Sequence, residues 1–261
     1  MRLETAIKKT IEYASNFKSH INKKEINERL ISKKIFSSNE VVEFVNRMGW
    51  KDKRNKWYRI KMKKAINLSK EISEKFKDII FIGVSGSVAS GHPKERDDID
   101  IFIITKDNKL WKNRLKLRWW IFIKQVPHRK RGETEEKNQF CFNLWLDESE
   151  LKIKKDKQNL KNGVDLILLK SLVNKETAYE KFLLANNWVK KWVATGYARL
   201  VDRSSIVDRR YKKNKKSNFL DKITNYLYFW PQYWYMKRKM RGETVGLHQA
   251  FFHRQNGKMK L

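Results

Sequence analysis

The sequence predicts an α/β (α+β) fold, with buried strands in the middle of the chain and helices before and after them. Three predominantly apolar runs indicate the strands, at residues 79–84, 99–105 and 140–146, and the first of them is continuously apolar. Short runs of this kind are typical of strands that are covered on both faces. Elsewhere the apolar residues recur at helical spacing. We therefore expect three parts: an N-terminal domain over residues 1–61, a core over residues 62–160 and a helical C-terminal region over residues 161–261.

The N-terminal domain is predicted to contain three short helices and a hairpin. Apolar residues from Leu3 to Ala14 recur at helical spacing. Two capping-box pairs would start the next two helices: Asn22 with Glu25, and Ser37 with Glu40. Trp50 and the run Trp57–Ile60 flank a polar turn, which favours a hairpin. Three helices and a hairpin indicate a winged-helix-like domain, and a small helical packing domain without a nucleic-acid role fits equally well.

The core and the C-terminal region follow in order. A helix over about 62–76 precedes the first strand. A turn of small residues from Ser85 to Gly91 follows that strand, and a basic helix over about 109–124 lies between the second strand and the third. Beyond Val164 the pattern is helical, interrupted by a basic stretch over 199–217 that predicts a loop or mobile linker.

The last predicted helix, from Phe219 to about Met240, is strongly aromatic, and Pro231 is expected to kink or interrupt it. Its segment Tyr226–Arg241 mixes aromatic residues with cations. This composition suits single-stranded nucleic-acid binding or an interfacial membrane helix. Packing of the aromatic rings on the core is the interpretation that we favour.

The charge of the chain indicates a polyanionic partner. Sixty Lys and Arg against twenty-nine Asp and Glu give a formal net charge of +31. Nucleic acid is the leading candidate, followed by nucleoside triphosphates and an anionic membrane surface; a lysine-rich composition without a binding role is the alternative. The single cysteine, Cys141, excludes an internal disulfide or a zinc–cysteine cluster and indicates a reducing compartment. The longest apolar runs are too short to span a bilayer, so we expect a soluble, cytoplasmic protein.

Two aspartates at the start of the second strand are the candidate metal ligands. Side chains alternate along a strand, so Asp98 and Asp100 would point to one face, about 7 Å apart. Two carboxylates at the start of a buried strand are costly unless a cation neutralises them. We therefore predict that Asp98 and Asp100 bind Mg²⁺ or Mn²⁺.

The residues before this strand are candidates for binding phosphate. Gly86 and Ser87 follow the first strand where a helix begins, and a glycine there lets backbone N–H groups approach a phosphate closely. Lys94 and Arg96, in the following loop, could contact a triphosphate, although simple loop solubility is the better-supported explanation for both. His92, in the same loop, is expected to be exposed.

These residues together resemble the signature of the DNA polymerase β superfamily of nucleotidyltransferases. The signature is an apolar strand, Gly-Ser, a gap of about ten residues and Asp-x-Asp on a second strand, and it reads here as FIGVSGSVASGHPKERDDIDIFIIT. The resemblance implies a small mixed sheet flanked by helices, two metals, a nucleoside triphosphate substrate and an acceptor hydroxyl. Residues 110–114, 141–146 and 186–189 also resemble, less specifically, segments of a family of nucleotidyltransferase-domain proteins from small-genome prokaryotes.

The chain departs from the superfamily pattern at the third carboxylate, where Asn143 stands in Phe142-Asn143-Leu144. An amide can ligate a metal through its carbonyl oxygen but cannot act as a general base. Asp147, Glu135 and Glu136 are the alternative third carboxylates. The resemblance implies an enzyme that transfers a nucleoside monophosphate to a hydroxyl, and the net charge favours RNA as the acceptor. A catalytically weak nucleic-acid-binding protein, or an enzyme acting on a protein or small molecule, remains possible on the same fold.

Overall fold

A computed structural model of the protein describes residues 1–17, 19–53, 55–129, 136–203, 218–238, 240 and 242–252. Among these residues the helices are α1 (Leu3–Ser15), α2 (Lys23–Glu28), α3 (Ser38–Arg47), α4 (Lys56–Lys75), α5 (Gly86–Ala89), α6 (Leu110–Ile123), α7 (Leu160–Leu168), α8 (Ala178–Ala185), α9 (Lys190–Arg203) and α10 (Phe219–Lys237). The strands are β1 (Ile79–Val84), β2 (Ile99–Thr105), β3 (Phe140–Asp147), β4 (Lys170–Asn174), β5 (Thr244–Val245) and β6 (Gln249–Phe251).

The N-terminal helices form as predicted, but the hairpin does not. Both capping boxes are present at the starts of α2 and α3, and α1 to α3 bury a small apolar cluster that includes Ile7, Ile26 and Val41. The run Trp57–Ile60 lies in the first turns of α4 instead of a strand. The reason is a cap that the hairpin interpretation overlooked, because the Asn55 side chain accepts a hydrogen bond from the Tyr58 N–H at 3.0 Å. The described part of residues 1–61 therefore contains no hairpin, so the β-hairpin wing that a winged-helix domain requires is absent from these residues.

The predicted mixed sheet is confirmed. Its strand order is β4-β1-β2-β3-β6-β5, with β2 and β3 parallel and the other pairs antiparallel. β1 and β2 are buried along their whole length, as their predominantly apolar sequences predict. β4, β5 and β6 come from beyond residue 160, the expected end of the core, so the sheet also uses strands from the C-terminal region.

The parallel pair fixes which residues share an edge of the sheet. A parallel connection needs a crossover, and α6 provides it. In the register of this pair, Asp100 lies opposite Cys141 and Thr105 lies opposite Asp147. The beginning of β2 and the beginning of β3 therefore meet at one edge, and their ends meet at the other.

The helices of the C-terminal region contact both of the other parts. α9 meets the N-terminal helices, where Arg199 donates a hydrogen bond to the Asn27 carbonyl at 2.8 Å. Of the predicted basic linker 199–217, residues up to Arg203 belong to α9 and residues 204–217 lie outside the described residues. α10 packs against α6 and continues through Pro231 without interruption. In the described part of the chain, no helix has the length and apolar character needed to cross a membrane.

Candidate functional site

Asp98 and Asp100 converge at the edge where β2 begins. Asp98 directly precedes the strand and Asp100 is its second residue, and both side chains are buried. One oxygen of each carboxylate and the Cys141 sulfur all lie within 4.8 Å of one another. The alternation along the strand therefore produces the convergent carboxylates that the sequence predicts.

The Gly-Ser turn lies directly against this pair. Gly86 has a φ of +66°, and a Cβ atom there would lie 2.2 Å from Oδ2 of Asp100. Ser85 N–H donates to the Asp100 carbonyl at 2.9 Å, which holds the turn against the start of β2. Ser87, the second residue of α5, is half-buried beside Gly86. Glycine is required at residue 86 both for its backbone conformation and for this close approach.

An arginine that the sequence analysis missed neutralises part of the acidic pair. Nη1 of Arg129 lies 2.8 Å from Oδ2 of Asp98, and Nη2 lies 3.1 Å from the Cys141 sulfur. Arg129 reaches this position because its segment pairs with the start of β3: Phe140 N–H donates to Pro127 and Arg129 N–H donates to Phe140, both at 2.9 Å. Burial lowers the pKa of Arg129, but the charges of Asp98 and Asp100 and the hydrogen bond to Cys141 outweigh that effect and raise it.

Cys141 and Asn143 on β3 complete the site. Burial, followed by the charge of Asp100, raises the pKa of the Cys141 thiol far above its usual value, so the sulfur carries its proton. The thiol donates to the Asn143 side-chain oxygen, and the Asn143 amide donates to Oδ1 of Asp100. Asn143 therefore contacts the acidic pair, as expected of the third motif position, but with its amide nitrogen. Cys141 is buried, and its hydrogen-bond partners, Arg129 and Asn143, are both polar.

Asp147 does not supply the third carboxylate. It ends β3 opposite Thr105, whereas Cys141 lies opposite Asp100. Six residues of extended strand put Asp147 about 20 Å from Cys141. Its carboxylate is fully buried and accepts a hydrogen bond from Nδ1 of His248 at 2.7 Å. This alternative is wrong because alternation preserves the face of the strand but does not fix the distance along it.

Glu136, one of the other two alternatives, does not join the acidic pair. Glu136 is exposed and accepts a hydrogen bond from Gln139 at 2.9 Å, and Glu135 lies outside the described residues. Among the described His, Cys, Asp and Glu side chains, Asp98, Asp100 and Cys141 form the one group of three close enough to share a metal. The two carboxylates suit a hard cation such as Mg²⁺, whereas a protonated thiol does not.

Lys94 and Arg96 are both exposed in the loop before β2. The Lys94 backbone N–H donates to the Asp97 carboxylate at 2.9 Å, which closes a turn in this loop. Arg96 lines an open surface cavity of about 480 Å³ together with Glu95, Glu136 and Lys137. The exposure of both side chains is what we expect of residues that only keep a surface loop soluble.

A buried lysine holds this loop in place. Lys61 of α4 is fully buried, and its ammonium donates to the carbonyls of Glu95 at 3.1 Å and of Asp97 at 2.5 Å. Burial lowers the pKa of Lys61, while the charges of Asp97 and Asp98 oppose that shift. A lysine in register with the apolar stripe Ala65, Leu68 and Ile72 is a signal in the sequence that could have identified it.

The loop after the Gly-Ser turn is fastened to α2. His92, expected to be exposed, has a buried side chain whose Nε2 lies 3.0 Å from Oε2 of Glu25. A Cβ atom on Gly91 would lie 2.2 Å from Oε1 of the same Glu25. The segment 88–97 is therefore held in its middle by α2 and near its end by α4.

The comparison with known families agrees with this geometry. Residues 67–126 match the family described as polymerase beta, nucleotidyltransferase. The matched segment covers β1, the Gly-Ser turn, β2 and α6, and it ends before Arg129 and Asn143. No curated protein and no solved structure matches the chain.

Proposed function

We propose that this chain, whose residues 67–126 match the polymerase beta nucleotidyltransferase family, transfers a nucleoside monophosphate from a nucleoside triphosphate to an acceptor hydroxyl, with RNA as the favoured acceptor. The observation that carries the proposal is the contact between the Gly-Ser turn and the acidic pair. A Cβ on Gly86 would touch the Asp100 carboxylate. A phosphate bound at the turn would therefore lie beside the carboxylates, which is what phosphoryl transfer requires.

The proposed roles follow from the position of each side chain. Asp98 and Asp100 would hold Mg²⁺ or Mn²⁺, which supplies positive charge to the triphosphate when it is bound. Gly86 and Ser87 would bind phosphate oxygens through backbone N–H groups and a hydroxyl. Asn143 would assist by orienting Asp100, to which its amide donates.

Arg129 gives this site a feature that affects metal binding. Its guanidinium balances the Asp98 charge at 2.8 Å, so a metal that binds Asp98 competes with an ion pair already in place. Lys94 and Arg96 are exposed on the adjacent loop, and we propose that they contact the triphosphate chain. Lys61 is fully buried and holds the loop instead of contacting substrate.

The choice of RNA as acceptor rests on charge. A net charge of +31 creates a positive field that attracts polyanions over long distances. Neutralising several phosphates releases bound counterions, so we expect RNA affinity to fall steeply as salt is raised. A salt-independent affinity would remove this support and favour a protein or small-molecule acceptor.

A catalytically weak nucleic-acid-binding protein is the second candidate, and a specific observation favours it. The described residues place no third carboxylate in the cluster, and Asn143 and Arg129 occupy the surroundings of the acidic pair. A metal that activates the acceptor hydroxyl would then bind weakly.

Transfer of labelled nucleoside triphosphates to total RNA, protein and small molecules tests the proposal. Asp100→Asn should abolish transfer while the protein stays folded. Asp97→Asn is the matched control, because it removes a neighbouring carboxylate yet keeps an oxygen for the Lys94 N–H. Equal activity in the two variants would refute the assignment of Asp100. RNA binding without transfer by the wild type, in Mg²⁺ and in Mn²⁺, would favour the second candidate.

A further inference from the structure

The helix α10 directs two polar side chains, those of Asn225 and Gln232, toward α6. Asn225 is fully buried, and its side-chain oxygen accepts the Trp111 N–H at 3.1 Å. The Gln232 side chain accepts from Arg114 at 2.6 Å and donates to the Trp111 carbonyl at 2.9 Å. These hydrogen bonds to α6, together with the buried ring of Phe229, fix the inner face of the helix.

The opposite face of α10 carries a row of exposed apolar residues. Phe219, Ile223, Leu227 and Trp234 are 72%, 40%, 64% and 59% exposed. They recur at intervals of four, four and seven residues, so they lie on one side of the helix. Residues two apart on a helix point about 200° apart, which sets Ile223 and Leu227 opposite Asn225. We name these four residues the outer stripe.

Cations lie beside the outer stripe. Lys222, Lys237 and Arg238 are exposed, and Nζ of Lys237 lies 5.2 Å from the centre of the Trp234 ring. Single exposed apolar side chains are normal on a protein surface, but a contiguous row rimmed by charge marks an interaction site. An apolar row with cations and a tryptophan at its edge is the pattern of a helix that lies in a membrane interface.

We propose that the outer stripe docks α10 in the headgroup region of an anionic lipid surface, with the helix parallel to the membrane plane. The middle of the stripe, Ile223 and Leu227, is aliphatic. Branched aliphatic side chains enter the acyl region readily, whereas bases of single-stranded nucleic acid gain most from stacking on rings. A second copy of the chain is disfavoured because two molecules that each carry +31 repel one another.

Flotation of the full-length protein with vesicles tests this proposal independently of any transferase activity. The vesicles contain phosphatidylcholine with about 30 % phosphatidylglycerol, or phosphatidylcholine alone. Ile223→Glu/Leu227→Glu should lower partition onto the anionic vesicles by at least about tenfold. Ile60→Glu/Ile66→Glu on α4 is the matched control, because those residues are 41% and 51% exposed and the change in charge is the same. Circular dichroism verifies folding, and Leu227→Ser replaces the double variant if that variant does not fold.

The outcomes separate the possible occupants. Loss of binding in the outer-stripe variant alone supports lipid insertion. Equal loss in both double variants, or unchanged binding in the outer-stripe variant, overturns it. Absence of vesicle binding by the wild type also overturns it. In that case, loss of oligouridine binding in the outer-stripe variant would assign the stripe to single-stranded nucleic acid, and dissociation of an oligomer would assign it to a second copy.

Discussion

Replacing Arg129 by alanine should destabilise the metal-free protein and strengthen its response to metal. The guanidinium is paired with Asp98 at 2.8 Å, and the two side chains are 18% and 5% exposed. Its removal leaves two buried carboxylates, Asp98 and Asp100, whose charges repel each other. In the wild type, by contrast, a metal bound by Asp98 would have to displace the ion pair.

The magnitude follows from the burial of the pair. Removing one partner of a buried ion pair costs about 3–5 kcal/mol, and the partial exposure of Arg129 reduces this to about 2–3 kcal/mol. For a chain of this length that corresponds to a fall in Tm of about 4–12 °C. If removal of the competing arginine tightens Mg²⁺ binding about tenfold, the metal stabilises the variant by about 1.4 kcal/mol more than the wild type.

Thermal unfolding followed by circular dichroism measures both effects, in EDTA and in millimolar Mg²⁺ or Mn²⁺. Lys137→Ala is the control, because the Lys137–Glu95 pair is about half exposed on both sides and such pairs contribute little. An Arg129→Ala protein as stable as the wild type in EDTA would refute the role of the pair. A metal-induced shift no larger than that of the wild type would refute competition between Arg129 and the metal.

Three further predictions concern single residues. Gly86→Ala should cost about 2–4 kcal/mol in urea unfolding, because the new Cβ meets Asp100 and the left-handed backbone disfavours alanine; a cost below about 1 kcal/mol would contradict the close approach. Asn143→Asp should raise the transfer rate in Mg²⁺ and Asp147→Ala should leave it unchanged, and a dead Asp147→Ala enzyme would contradict the separation of the two ends of β3. The hydrogen bond to Asp147 raises the pKa of His248. The protonated imidazole therefore stabilises the fold below the unfolded pKa of about 6.5, and this stabilisation is lost as pH rises through the pKa of His248 in the folded protein. The Tm difference between wild type and His248→Gln should therefore be larger at low pH than at high pH, and a constant difference would refute the linkage.

The sequence predicted the central strands because their signal is local. β1 is a continuous apolar run and β2 is apolar apart from Asp100 and Thr105, and both strands are buried along their whole length. β4 has the mixed sequence KSLVN, and β5 and β6 have two and three residues, so their pairing depends on the rest of the sheet. The aromatic run Trp57–Ile60 has strand-forming residues, but the Asn55 cap and the helical stripe that follows it in α4 decide its conformation.

The site was predictable as far as its residues are neighbours in the chain. Asp98 and Asp100 are two residues apart on a strand, so their convergence follows from alternation alone. Arg129 and Cys141 join them only through the parallel pairing of β2 with β3 and the short extended segment beside β3. The contacts of Arg129 with Asp98 and of Cys141 with Asp100 join residues at least 31 positions apart, and no local sequence pattern predicts them.

Surface loops usually tolerate insertions and deletions, but the ten residues between Ser87 and Asp98 are an exception in this fold. His92 in this segment bonds to Glu25 of α2, and the Lys61 ammonium donates a hydrogen bond to the carbonyl of Asp97 at the end of the segment. One added or lost residue would pull a buried charge away from its acceptor or move Asp98 out of register with the Gly-Ser turn. The length of this segment is therefore set by its contacts with α2 and α4 and not by the acidic pair beside it. A longer segment would need new contacts in place of Glu25–His92 and Lys61–Asp97.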